Sequence, residues 1–194
     1  MPVFSFAPKI RRTQQNKFND DFLNYCVGYD LGIDFDIHGD NYEEDLSDCI
    51  KEIIPFKDSL DYYEVPYSLR YSGSGFHICI PNKALLPMEE YNEDKPLLCS
   101  KLTSKMKDIF FLEHMDESIY DIRRIWKCPY SLDMRTCRIS LPLSDDDFNN
   151  FSLDLVNPKR VFSGELSLRN RGLLERRGSI DGLRKFSEEV LELS

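Results

Sequence analysis

Between Leu31 and Ile37 the chain reads Leu-Gly-Ile-Asp-Phe-Asp-Ile, and Ile33, Phe35 and Ile37 alternate with Asp34 and Asp36. A period of two is the pattern of a strand with one apolar face and one polar face. It commits the chain to a sheet that buries the three apolar residues and gathers two carboxylates on its other side. Two residues along a strand span roughly 6.6 Å. At that reach two carboxylates can share a pair of divalent cations about 3.5–4 Å apart. A solvated strand face carries such pairs as well, so the Asp-x-Asp alone leaves both readings open.

The chain's 194 residues suit one compact domain with a real core. Hydrophobic residues at 41% and aromatics at 12% argue for a folded globule. No apolar run approaches about 18 residues, so no membrane span is expected. The start, MPVFSFAPKIRR, lacks the apolar stretch of a secretory signal, which reads as an intracellular protein, cytoplasmic or nuclear according to host. Cys26, Cys49, Cys79, Cys99, Cys128 and Cys137 never form a Cys-x-x-Cys pair. Reduced thiols are therefore expected, and no zinc site.

The net charge of −9 argues against a generic nucleic-acid coat. The charge is uneven, however. Lys9, Arg11, Arg12 and Lys17 make the first segment basic, and eight Lys or Arg against three acids lie between Pro158 and Lys185. In that run Arg171, Arg176 and Arg177 are candidate nucleic-acid contacts. A solvated charged face explains it equally well.

The pattern predicts a polar lead-in over residues 1–20, a short helix or strand at 22–27, and then the strand with the two aspartates. GDNYEED (39–45) turns into an acidic helix start, which suits the helix dipole. Leu46, Cys49, Ile50, Ile53 and Ile54 carry that helix to a stop at Pro55. Strands are predicted at 64–71 and 76–80 around a turn at SGSG (72–75). A loop is predicted at 81–87 and a helix at 97–111. Residues 115–126 are ambiguous, 128–133 are turn-like, and 136–143 form a short strand. Ser144 caps a helix start, and 179–194 form an amphipathic helix on Leu183, Phe186, Val190 and Leu193. This alternation favours an α/β or α+β fold with a mixed sheet.

Three further stretches carry chemistry. RYSGSGFHICI (70–80) presents Ser72, Ser74 and turn N–H groups beside His77, and Gly73 and Gly75 allow the close backbone approach that a phosphate needs. An ordinary hairpin turn with a half-buried histidine has the same pattern. HMDESIYD (114–121) offers Asp116 as a third carboxylate. RRIWKCPYSLD (123–133) sets basic residues around the chain's only tryptophan, with Lys127 able to reach a triphosphate or simply to snorkel from a core strand.

In this order and at this separation, the stretches resemble the catalytic small subunit of the archaeo-eukaryotic primase superfamily and the related primase-polymerases. The family's Asp-x-Asp strand, glycine turn with histidine, single aspartate, and basic stretch ending in P-x-S-L-H are matched here by IDFD (33–36), SGSGFH (72–77), MD (115–116) and RRIWKCPYSLD (123–133). A short apolar strand, TCRISLPL (136–143), follows. The similarity covers Tyr29–Leu143. It divides the chain into a lead-in (1–28), a primase-like catalytic core of mixed sheet flanked by helices (29–143), and a helical, basic extension (144–194) of the same domain.

The resemblance implies a template-dependent nucleotidyltransferase that makes primers from nucleoside triphosphates. Asp34, Asp36 and Asp116 would hold two Mg²⁺ or Mn²⁺ ions, and Asp121 competes with Asp116 for the third place. Ser72, Ser74 and His77 would line the triphosphate, with Arg124 and Lys127 adding positive charge. His77 would be a phosphate contact more than a proton shuttle. The implied partners are a single-stranded DNA template and a second primase subunit or helicase. The chain departs from the family at Asp133, where relatives carry histidine, and at Ser74, where relatives often carry arginine. Both departures weaken the expected triphosphate grip. They leave a second reading, a catalytically degenerate module that binds nucleic acid or protein in a replication complex. A two-metal nuclease is a third, but it has no use for a triphosphate-binding turn.

Overall fold

A computed structural model describes residues 4–6, 26–38, 40–91, 95–120, 126–163 and 178–192. Strands β1 (Phe4–Phe6) and β2 (Cys26–Tyr29) form a small antiparallel pair. The central sheet contains β3 (Leu31–Phe35), β4 (Ser68–Tyr71), β5 (Phe76–Ile80), β6 (Met115–Asp116) and β7 (Leu141–Pro142), in the order β6-β3-β5-β4-β7. The helices are α1 (Tyr42–Tyr62), α2 (Asn82–Leu85), α3 (Lys95–Phe110), α4 (Asp145–Asn149), α5 (Pro158–Phe162) and α6 (Gly182–Glu189). None among the described residues is long and apolar enough to cross a membrane.

The expected combination of helices and sheet is present, but the sheet is not mixed: each pairing among its described strands is antiparallel. The chain order explains this. Strand β3 and the crossover helix α1 deliver β4 in the same direction as β3, as in a βαβ unit. The tight turn after β4 then folds β5 back between them, so the two like-directed strands never become neighbours.

Helix α1 runs through Pro55 instead of ending there. Proline removes one ladder hydrogen bond and costs about 3 kcal/mol in a helix interior. Beyond it lie Phe56 and Leu60, both fully buried, and each such burial returns about 1.5–3 kcal/mol. Phe56 meets Phe110 of α3 at 5.3 Å and Phe186 of α6 at 6.4 Å, ring centre to ring centre. Packing therefore outweighs the local stop signal. The same reason corrects the loop expected at 81–87: Ala84, Leu85 and Met88 are buried, and the segment coils into α2 and a 3₁₀ turn (Leu86–Tyr91).

The strand expected over 136–143 shrinks to β7 and one bridge between Leu132 and Ile139, because a turn consumes residues 134–136. Ser144 caps α4 as expected. Its hydroxyl accepts the Asp147 N–H at 3.0 Å, while its own N–H donates to the Asp147 carboxylate at 3.0 Å. The described part of the last helix, α6, is shorter than the span of 179–194.

On the apolar side of the sheet Leu31, Ile33, Phe35, Phe76, Ile78, Ile80 and Leu69 are fully buried, in one hydrophobic cluster with the helices. That leaves the opposite side of β3 for Gly32 and Asp34.

Candidate metal centre and its surroundings

Residues directly opposite one another in antiparallel strands project from the same face. The register sets Asp116 opposite Asp34, Asp34 opposite His77, and His77 opposite Arg70. One row of polar side chains thus crosses β6, β3, β5 and β4. Asp36 lies two residues beyond Asp34, past the end of β3, and its N–H extends the ladder by donating to the His114 carbonyl at 2.9 Å.

Helix α1 holds that junction. Glu52 accepts the His114 N–H at 3.2 Å and sits 2.8 Å from His114 Nδ1. The Asp116 carboxylate accepts the Ser118 N–H at 2.8 Å.

Asp34, Asp36 and Asp116 each offer a carboxylate oxygen, and these atoms all lie within 4.8 Å of one another. Carboxylate oxygens are the hard donors that Mg²⁺ or Mn²⁺ prefers, and three gathered this closely fit a divalent cation. A second observation agrees. Asp34 is 9% exposed, and its Oδ1 is buried without a hydrogen-bond donor. His77 Nε2 stands 3.0 Å from this oxygen, but the pair is not aligned as a hydrogen bond, so the contact is electrostatic. A buried carboxylate oxygen with no donor is costly, and a cation would satisfy it. Burial and the charge of Asp34 push the Asp36 carboxyl pKa up; His38 pulls it down and Asp116 pushes it up again. Without a cation the acids repel one another.

The glycine turn abuts this cluster. A Cβ at Gly75 would fall 1.9 Å from the Phe35 carbonyl and 3.4 Å from Asp36 Cα, so only glycine lets the turn close onto the end of β3. Gly73 has φ +109°, in the region that favours glycine. The turn is braced from within and without. Ser72 Oγ accepts the Gly75 N–H at 3.0 Å. Tyr71 and Thr136 hydroxyls donate to the Gly73 carbonyl at 2.9 and 2.6 Å. Arg135 donates to Ser74 Oγ at 3.3 Å.

No protein-family model matches the chain, and no curated protein matches it either.

Of the residues singled out in the sequence, the three aspartates and His77 come together, and Ser72 and Ser74 lie in the glycine turn that closes onto the end of β3. Lys127 is bonded to the buried carboxylate of Asp133. Burial opposes ionisation of Asp133, but Lys127 and the N–H groups of Thr136 and Arg135 hold its carboxyl down at about 2. Asp133 also packs under Gly73, whose added Cβ would fall 2.5 Å from Asp133 Cβ. Its charge is thus matched, and it supports the turn. Arg124, Asp121, Arg171, Arg176 and Arg177 lie outside the described residues.

Two residues were missed in the sequence. Trp126 lies on Gly32, where a Cβ would come 2.2 Å from the indole, and meets His77 edge-on at 4.9 Å. Arg70 donates to His77 Nδ1 from Nε at 3.0 Å and from Nη2 at 2.9 Å. The hairpin register gave a signal for Arg70: a turn at 72–75 sets Tyr71 opposite Phe76 and therefore Arg70 opposite His77.

Proposed function

We propose that the chain is a template-dependent nucleotidyltransferase, a DNA primase or primase-polymerase, that assembles primers from nucleoside triphosphates. The observation that carries this reading is the meeting of Asp34, Asp36 and Asp116 on one sheet face, beside His77 and against a glycine turn. The ordered motifs that resemble the primase superfamily converge on that spot.

Asp34, Asp36 and Asp116 would hold Mg²⁺ or Mn²⁺. When bound, such ions make a 3′-hydroxyl a better nucleophile and stabilise the departing pyrophosphate. The rest falls to the protein. Asp34 is fixed by its strand and Asp36 by the His114 carbonyl, so the ligands need little rearrangement. His77 offers an N–H donor to a phosphate oxygen. The glycine turn permits close approach, and Arg135 brings a cation to its rim, where the chain carries Ser74. Positioning and charge neutralisation carry this chemistry and ask little of a general base. The expected partners remain a single-stranded DNA template and a second primase subunit or helicase.

A second reading, the catalytically degenerate interaction module, draws support from groups already spent: Ser72 Oγ on the turn itself and Lys127 on Asp133. Primer synthesis on a single-stranded template separates the two. With Mn²⁺ or Mg²⁺ and labelled ribo- or deoxyribonucleotides, wild type should give products that Asp34→Ala loses. No product, together with no metal-dependent triphosphate binding, would overturn the enzyme reading in favour of the module.

A further inference from the structure

His77 is 6% exposed and is gripped on three sides. Arg70 reaches its Nδ1, Asp34 Oδ1 lies 3.0 Å from its Nε2, and the Trp126 indole stands against its ring. The Arg70 contact has a chemical consequence. A guanidinium carries only donors and does not deprotonate in a protein. Two of its nitrogens converge on Nδ1, so Nδ1 must present its lone pair. The ring proton then sits on Nε2, on the side of the acid cluster.

We infer that Arg70 is a positioning residue that locks His77 in the Nε2–H tautomer, making it a fixed N–H donor for a ligand beside the carboxylate cluster rather than a base. The tautomer follows from the side chains alone. Its use, donation to a phosphate oxygen of a bound nucleotide, rests on the nucleotidyltransferase reading. Trp126 completes the lock by blocking rotation of the ring, and its seat depends on Gly32. Nε2 carries a proton in this arrangement, so it has no lone pair with which to take one from a 3′-hydroxyl.

The test reads the tautomer directly, by nitrogen-15 spectroscopy of the histidine side chains in the full chain, assigned by loss of the His77 signals in His77→Ala. Wild type should show one pyridine-like nitrogen at Nδ1 and one pyrrole-like nitrogen at Nε2. Arg70→Met, of similar length but without donors, should lose this fixed pattern, and Arg70→Lys, which restores a donor, should recover it. A wild-type proton on Nδ1 would overturn the inference even if no variant folded. So would an unchanged tautomer in folded Arg70→Met.

The second readout is kinetic. Arg70→Met should raise the apparent nucleotide KM about tenfold, as expected for loss of one well-placed hydrogen bond to a charged group, with a smaller change in kcat. If wild type makes no primer but holds the Nε2–H tautomer, the functional reading fails and the positioning role stands. If wild type makes primer and the tautomer is otherwise, the reverse holds.

Discussion

The Asp133 carboxylate is buried, paired with Lys127, and accepts two backbone N–H groups at 2.8 and 3.0 Å. A carboxylate so held cannot repel a triphosphate as a bare charge would. Its low folded pKa has a stability consequence of fixed sign. The folded chain holds this site deprotonated where the unfolded chain has begun to protonate it. The contribution is complete above the unfolded value of about 3.9 and is lost as pH falls through about 2. Asp133→Asn should therefore flatten the acid limb of the stability profile, read as urea midpoints between neutral pH and strongly acidic pH. An unchanged limb would show that the pair contributes nothing. At Gly32 the argument is steric. Gly32→Ala should displace Trp126, the chain's only tryptophan. Its fluorescence should shift toward that of a solvent-exposed indole; an unmoved spectrum would contradict the stated seat.

At the scale of elements, local signals held wherever packing agreed with them. The period of two marked β3, the SGSG turn marked the hairpin of β4 and β5, and Ser144 announced α4. Removing that cap by Ser144→Ala should cost about 1 kcal/mol, measured by chemical denaturation. A cost near zero would mean that burial of Phe148 alone holds the helix. Pro55 and the PNKALLP stretch misled because their outcome is decided at a distance. Phe56 finds Phe110 and Phe186, and Leu85 finds a buried site, through contacts that no local window contains. The site divides in the same way. Asp34, Asp36, Asp116 and His77 were legible from spacing and motif order. The matched charges of Lys127 and Asp133, and the grip of Arg70 and Trp126, exist only after the sheet and the 134–136 turn have folded.

Across the whole molecule, the apolar side of the sheet carries stability and the opposite side carries a concentration of charge that works against it. With Asp34, Asp36 and Asp116 so close, and Asp36 raised by burial and by its neighbours, the metal-free fold bears an electrostatic cost at neutral pH. Asp36→Asn should lower that cost and raise the metal-free Tm by about 2–4 °C, the shift expected for about 1 kcal/mol in a domain of this size. A lowered Tm would show that Asp36 has a stabilising partner instead. Mn²⁺ should stabilise wild type through preferential binding to the folded state. The most direct measurement is calorimetric titration of the folded, metal-free protein with Mn²⁺, wild type beside Asp34→Ala. Saturable binding by wild type, weakened about tenfold or more in the variant, is the predicted result; equal binding by both, or none by wild type, would contradict the metal centre on which the proposed chemistry stands.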